Sequence, residues 1–246
     1  RQRTAGRISP TIIIRLPCGT GFVIEGHNEF EAASFLSTPG FIIVCASTVQ
    51  DFYDFLLAAA GSRKIVLFFE YKALYGADYP LEYQWKGETV QKRVPIAAPL
   101  MRRLPLTPIE DFGMKLRRDG EHATVLTYGK MIYHCLEAAE LLAEEGISLE
   151  VFDIRVFKPF TAENQLIQSI QKTGSLVLVG DEPAYASTLS AIVAELVEKR
   201  EIFDFLQRPP LRLAAPNIHH PPPSYHRSYV PQPDTIATSI LKMLKE

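Results

Sequence analysis

The spacing of hydrophobic positions changes most sharply between residues 123 and 158, which read as strand, helix, strand. Ala123-Thr124-Val125-Leu126-Thr127-Tyr128 is β-branched and aromatic, and long enough for a buried strand. Gly129 interrupts it. Ile132, Cys135, Leu136, Ala139, Leu142 and Ala143 then lie on one helical stripe. Glu144-Glu145-Gly146 closes that helix, with glycine where a left-handed cap belongs. Residues 149–154 form a second apolar strand, and a helical crossover makes the two strands parallel. In such a unit chemistry gathers at the carboxyl ends of the strands, here around Tyr128-Gly129 and Asp153 to Arg155.

The same alternation recurs on both sides. Before it the pattern predicts strands at 11–16, 41–46 and 65–69, and helices over 29–36 and 49–60, with Ser47 or Thr48 as cap for the second helix. After it come a helix at 162–172, a strand at 176–179, a helix at 187–199, a short strand at 211–214 and a closing helix at 235–244. Between Tyr71 and Pro108 periodicity fails, and prolines stand at 80, 95, 99, 105 and 108. A loop that long inside a compact protein marks a linker, lid or docking arm, and a domain boundary is expected in it near residue 110. Alternating strands and helices throughout predict two α/β layers rather than an antiparallel barrel.

Composition narrows the function classes. The 246 residues are 47% hydrophobic and 22% charged, with room for two modest domains. A net charge of −2 gives no general electrostatic reason to bind nucleic acid or an anionic membrane. No stretch reaches the roughly 18–20 apolar residues of a membrane span. Cys18, Cys45 and Cys135 lack CxxC spacing and read as buried free thiols of a reducing compartment. The chain starts at Arg1 and reads as a fragment. Pro17-Cys18-Gly19-Thr20-Gly21 can bring backbone close to a ligand but lacks a phosphate-loop signature.

Four stretches together resemble the β subunits of thiamine-diphosphate-dependent 2-oxo acid dehydrogenases, the decarboxylating component of pyruvate and branched-chain complexes. They are Pro10 through Gly19 (PTIIIRLPCG), His27 with Pro39-Gly40 downstream, Phe68 through Tyr75 (FFEYKALY), and Thr127 through Met131 with Asp153-Ile154-Arg155. The likeness runs nearly end to end, apart from extra residues within 78–108. It implies the second half of a pyrimidine-binding α/β domain at 1–110, with an insertion at 76–108. A transketolase-type carboxyl-terminal α/β domain would follow at 111–246. It further implies thiamine diphosphate and Mg²⁺ shared with a partner α subunit, a second copy of β, and a lipoyl-bearing acyltransferase core. The compartment would be the bacterial cytoplasm or the mitochondrial matrix. No residue present matches those that hold and protonate the cofactor's pyrimidine ring in the family.

His27 is the catalytic candidate that the resemblance supplies. It lies in a glycine-flanked loop, and a histidine titrating near neutrality suits proton donation to the leaving sulfur of a lipoyl group. Asn28-Glu29 replaces the family's usual Ser-Gln after it. The family's monovalent-cation site, for K⁺, maps to the carbonyls of Ile12, Ala59 and Ala60, but Ser62 and Lys64 stand at its side-chain positions. The expectation is that the Lys64 ammonium replaces the ion. His219, His220 and His226 lie among prolines and read as a surface loop rather than a metal site; His122 and His134 read as structural. Asp181 through Ser187 departs from the family's Glu-Ala-Pro segment and glycine pair. Two other readings stay open: a non-catalytic assembly or regulatory relative, and a transketolase or deoxyxylulose-phosphate synthase remnant.

Overall fold

The computed structural model describes residues 9–20, 28–75, 78–86, 88–95, 107–161 and 164–246. Strands β1 (Ile12–Cys18), β2 (Phe41–Ala46) and β3 (Ile65–Tyr71) are mutually parallel, with β3 between the other two. Helix α1 (Ala33–Leu36) precedes β2, and α2 (Val49–Gly61) joins β2 to β3. Thr48 caps α2: its side-chain oxygen accepts the amide of Asp51 at 3.1 Å, the bond an N-cap supplies to an otherwise unpaired donor. Strand β1 continues through Pro17-Cys18, which sequence assigned to a loop. Proline is tolerated because β1 is an edge strand in this sheet.

The stretch read as aperiodic contains an antiparallel hairpin, β4 (Asp78–Trp85) and β5 (Glu88–Pro95). The second sheet follows. Strand β6 (Met114–Arg118) runs antiparallel to β8 (Leu149–Ile154), while β7 (Ala123–Thr127), β8, β10 (Leu176–Pro183) and β11 (Leu211–Ala215) are parallel in the order β11-β10-β7-β8-β6. Helices α3 (Met131–Ala143) and α8 (Pro233–Lys245) pack on one face of this sheet. Helices α4 (Asn164–Thr173) and α5 (Thr188–Val197) pack on the other, with the short α6 (Arg200–Phe203) beside them. A last single turn, α7 (His226–Tyr229), precedes α8.

One strand crosses between the sheets. After β8 the chain passes Arg155 and forms β9 (Val156–Lys158), which pairs antiparallel with β2 and completes the first sheet in the order β1-β3-β2-β9. The Cys45 amide donates to the Arg155 carbonyl at 3.0 Å. The central core is correspondingly shared: Cys45, Leu67 and Phe69 of the first sheet pack in one cluster with Leu126, Phe152 and Leu178 of the second. All three cysteines are buried free thiols, as their apolar settings predict. No helix among the described residues is long and apolar enough to cross a membrane.

Candidate active-site cleft

The carboxyl ends of β1, β3, β7 and β10 meet at the seam between the two sheets. Tyr71, the last residue of β3, is buried there with its ring between two glycines. A Cβ on Gly19 would stand 2.0 Å from the ring, and one on Gly129 would stand 1.8 Å from it. Both glycines also have positive φ, 79° and 55°, a conformation that any residue with a Cβ resists. The Tyr71 hydroxyl donates to Asp181 Oδ1 at 2.7 Å. Burial pushes the tyrosine pKa well above its ordinary value, and the Asp181 charge adds to the rise. Burial likewise raises Asp181, partly offset by Lys130 and by the Tyr71 hydrogen bond.

Lys130 opens α3 and is buried. Its Nζ donates to the Thr20 carbonyl at 3.1 Å, and burial lowers its pKa to about 8 despite the attraction of Asp181. The Gly19 amide donates to the Asn28 carbonyl at 2.8 Å, so residues 19 and 28 are tied together across the chain. Phe30 stacks on Tyr128 with ring centroids 4.6 Å apart. These contacts frame both ends of the segment that includes His27, and His27 itself lies outside the described residues.

On the same strand Glu182 caps α5, accepting the amides of Thr188 at 3.0 Å and Leu189 at 3.1 Å. Burial raises its carboxyl to about 7, with those two amides acting against the rise. A carboxylate at a helix start is stabilised by the exposed amides and the helix dipole. Beyond Asp181 and Glu182 the seam opens into a cavity of about 440 Å³, bounded by residues 29–34, 183–187 and 217–220.

Other expected site residues are scattered. Lys64 pairs with Glu110 in the wall of a separate cavity, the Ile12 amide donates to the Lys64 carbonyl at 3.1 Å, and the Ala59 carbonyl is taken by the Ser62 amide and hydroxyl. Asp153 and Arg155 are turned away from the cleft. Arg117 Nη2 donates to Asp153 and to Asp51, each at 2.6 Å, while Arg155 donates to Asp51 at 3.2 Å and Ser47 to Asp153 at 2.7 Å. The histidine-proline segment is not wholly a surface loop. His219 is exposed, but His220 and His226 are buried, 4.7 Å apart between ring centroids, and both bond the Pro221 carbonyl. Proline spacing hid this, because the residues that bury them come from Tyr229 and the strand ends of the sheet. His134 bonds the Pro231 carbonyl at 2.9 Å, and burial lowers its pKa to about 3.

Sequence reasoning missed Lys130 and the Tyr71–Asp181 pair. The one available signal for Lys130 was a single cation inside the apolar run Tyr128-Gly129-Lys130-Met131-Ile132. No group of three or more His, Cys, Asp or Glu side chains that could hold a metal ion occurs among the described residues. The buried carboxylates of the seam are committed to Tyr71 and to α5. The described residues therefore do not fit thiamine diphosphate and its Mg²⁺ by themselves, and no chemical step through that group is derived from them.

Comparison with known proteins agrees with this architecture. Residues 113–236 match the transketolase C-terminal domain. The chain is 33% identical to the pyruvate dehydrogenase E1 component subunit beta of Leifsonia xyli subsp. xyli, over 96% of this chain and 63% of that protein. It is 30% identical to the 2-oxoisovalerate dehydrogenase subunit beta of Bacillus subtilis, over 99% of this chain and 68% of that protein. The chain thus spans about two thirds of the length of these relatives. Among solved structures it resembles a split-gene transketolase described as an inactive beta4 tetramer, with a TM-score of 0.67, 17% identity, and coverage of 99% of this chain and 72% of that one. A transketolase from Campylobacter jejuni gives a TM-score of 0.60 at 13% identity, over 98% of this chain and 33% of that one; both likenesses concern the fold. Match, coverage and fold agree that this chain belongs to the transketolase C-terminal-domain family, in the group of the 2-oxo acid dehydrogenase β subunits.

Proposed function

We propose that the chain acts as a β-type subunit in thiamine-diphosphate-dependent oxidative decarboxylation of a 2-oxo acid, pyruvate or branched-chain, with reductive acylation of a lipoyl group. The observation that carries this reading is the likeness to two such β subunits over nearly the whole chain. In this reading residues 1–110 belong to a pyrimidine-binding domain and 111–246 to the carboxyl-terminal domain. The cofactor and Mg²⁺ are held with a partner α subunit, and a second β copy and a lipoyl-bearing acyltransferase core complete the assembly. The setting is the bacterial cytoplasm or the mitochondrial matrix.

The chain's own contribution is positional. The Tyr71 ring wedged against Gly19 and Gly129, and the Lys130 bond to Thr20, fix the strand ends at the seam. The Gly19–Asn28 bond closes the base of the segment that carries His27, whose imidazole would donate the proton to the leaving lipoyl sulfur. The Lys64 ammonium is engaged by Glu110 rather than by the carbonyls of Ile12, Ala59 and Ala60, so this pair lends no support to its standing in for K⁺ there. A non-catalytic assembly role is the second reading, favoured by Asn28, which is buried where the family carries serine beside the histidine.

One experiment separates the two. His27→Ala in the full-length protein is reconstituted with its α subunit and a lipoyl domain. Decarboxylation with an artificial electron acceptor and acylation of the lipoyl group are then measured. Loss of a general acid should lower acylation at least about a hundredfold, with cofactor affinity unchanged and a smaller loss in the artificial assay. Acylation near the wild-type rate would remove His27 from the mechanism; absence of both activities in the wild type would favour the assembly role.

A further inference from the structure

Another cavity, of about 300 Å³, opens between the carboxyl ends of β2 and β3 and the start of α2. Ala46, Val49, Phe52 and Leu74 give it apolar walls. Most polar side chains in its lining are already engaged. The Thr48 hydroxyl bonds Asp51, and the Tyr71 hydroxyl bonds Asp181. Glu70 is 2% exposed and accepts from Arg15 Nε, from Arg15 Nη2 at 2.8 Å and from the Tyr75 hydroxyl at 2.7 Å. Arg15 is the exception. One edge of its guanidinium, Nε and Nη2, is fixed by that buried carboxylate, and its Cζ stands 5.2 Å over the Phe52 ring. Glu70, Tyr75 and Phe52 all line the cavity, so the guanidinium is held within its wall. No hydrogen bond holds the other edge among the described residues, and the side chain is 54% exposed. An exposed ion pair by itself signifies little. Here a buried acid, a tyrosine and an aromatic face orient the arginine beside an apolar space, as supporting groups do for a binding residue.

We propose that this cavity binds a small carboxylic acid with an apolar body. Glu70 is saturated, so the wall offers donors and no free carboxylate. The open edge of a guanidinium presents parallel N–H groups that match a planar carboxylate. Arg15 is the sole cation in the lining among the described residues, and Glu70 stands beside it. A singly charged acid therefore suits the wall better than a phosphate dianion, which would meet Glu70 with no second cation to offset it. The apolar body lies against Val49, Phe52 and Leu74, and the volume suits a ligand of modest size. This inference does not depend on the proposed reaction, since it concerns binding in the resting protein.

The test is calorimetric titration of the full-length protein at constant ionic strength. The probes are phenylacetate and 4-methylpentanoate, each set against its own primary amide, with acetate as the acid that lacks a body. At least one of the two larger acids should bind saturably at one site. Its amide should bind at least about tenfold more weakly, because a neutral group gives up the charge-assisted bonds. Acetate should also be at least about tenfold weaker, having little apolar surface to bury. Arg15→Lys keeps a cation beside Glu70 but loses the fork, and should weaken the acid about tenfold or more. Val49→Phe fills the apolar end and should do the same by exclusion. The two variants lie on different elements, so a folding defect in one leaves the other to locate the site. Absence of saturable binding by both larger acids, equal affinity for the amide, or undiminished affinity in either folded variant overturns the proposal.

Discussion

Two buried charged regions of this protein are built on opposite plans. At one end of the seam Asp51 and Asp153 face Arg117 and Arg155, two acids against two bases, with Ser47 and Thr48 filling remaining acceptor positions. At the other, Tyr71, Lys130, Asp181 and Glu182 cluster around one cation, and their shifts all come first from burial. The balanced network joins α2, β6 and β8, with each charge answered by an opposite one. The unbalanced cluster borders a cavity. The difference teaches that charge alone does not mark a site: Asp153 and Arg155 are as polar as Asp181 and lie at a strand end too, yet they act as a brace.

The comparison breaks most decisively at Arg117. Replacing it by methionine strips Asp51 and Asp153 of their shared partner, and stranding buried carboxylates costs about 3–5 kcal/mol. Urea denaturation of Arg117→Met should show that loss; a loss below about 1 kcal/mol would class the network as a surface-like ion pair. The cleft responds to a steric insult instead. In Gly129→Ala the new methyl would overlap the Tyr71 ring at a positive φ, at a cost of about 2–4 kcal/mol from overpacking and left-handed strain. The measurement is the same, and wild-type stability in the variant would mean that Tyr71 is free to move aside.

A smaller effect sharpens the contrast through pH. Burial acts to raise the Asp51 carboxyl, but Arg117, Thr48 and Arg155 outweigh it and hold it below the usual range. Its stabilising contribution is therefore present above the ordinary aspartate range and is lost as pH falls below it. Glu182 is shifted the other way, from 4.5 to about 7. The folded protein keeps that proton after the unfolded chain has released it, so stability declines as pH rises from about 4.5 toward 7. Lys130 titrates at about 8, above that window. Glu182→Gln should flatten the decline between those values while leaving the acid-side loss intact. Parallel pH profiles for variant and wild type would exclude Glu182 as its source.

What the sequence revealed depended on pattern length. The run from 123 to 158 was legible as strand, helix and strand because α3 carries a full apolar stripe between two apolar runs. Strand β6 escaped because Lys115, Arg117 and Arg118 interrupt a five-residue element, and β9 because it has only three residues. The β4–β5 hairpin escaped because Pro80 and Pro95 lie within its paired strands. The cleft was harder still. Tyr71 and Asp181 are 110 positions apart, as are Lys130 and Thr20, and no local periodicity encodes such a meeting. The burial of His220 was hidden for the same reason.

The passage of the chain through Arg155 has a consequence for how the molecule comes apart. One ten-residue run, from Leu149 to Lys158, supplies a strand to each sheet. A molecule severed near residue 110 would leave β2 with a bare edge where β9 had been, and an unpaired parallel strand recruits whatever backbone is nearest. The two sheets are thus stitched into one cooperative unit. Amide protons of Ile43 and Val44 should exchange with solvent at the pace of those in β8, although more than a hundred residues separate them in the chain.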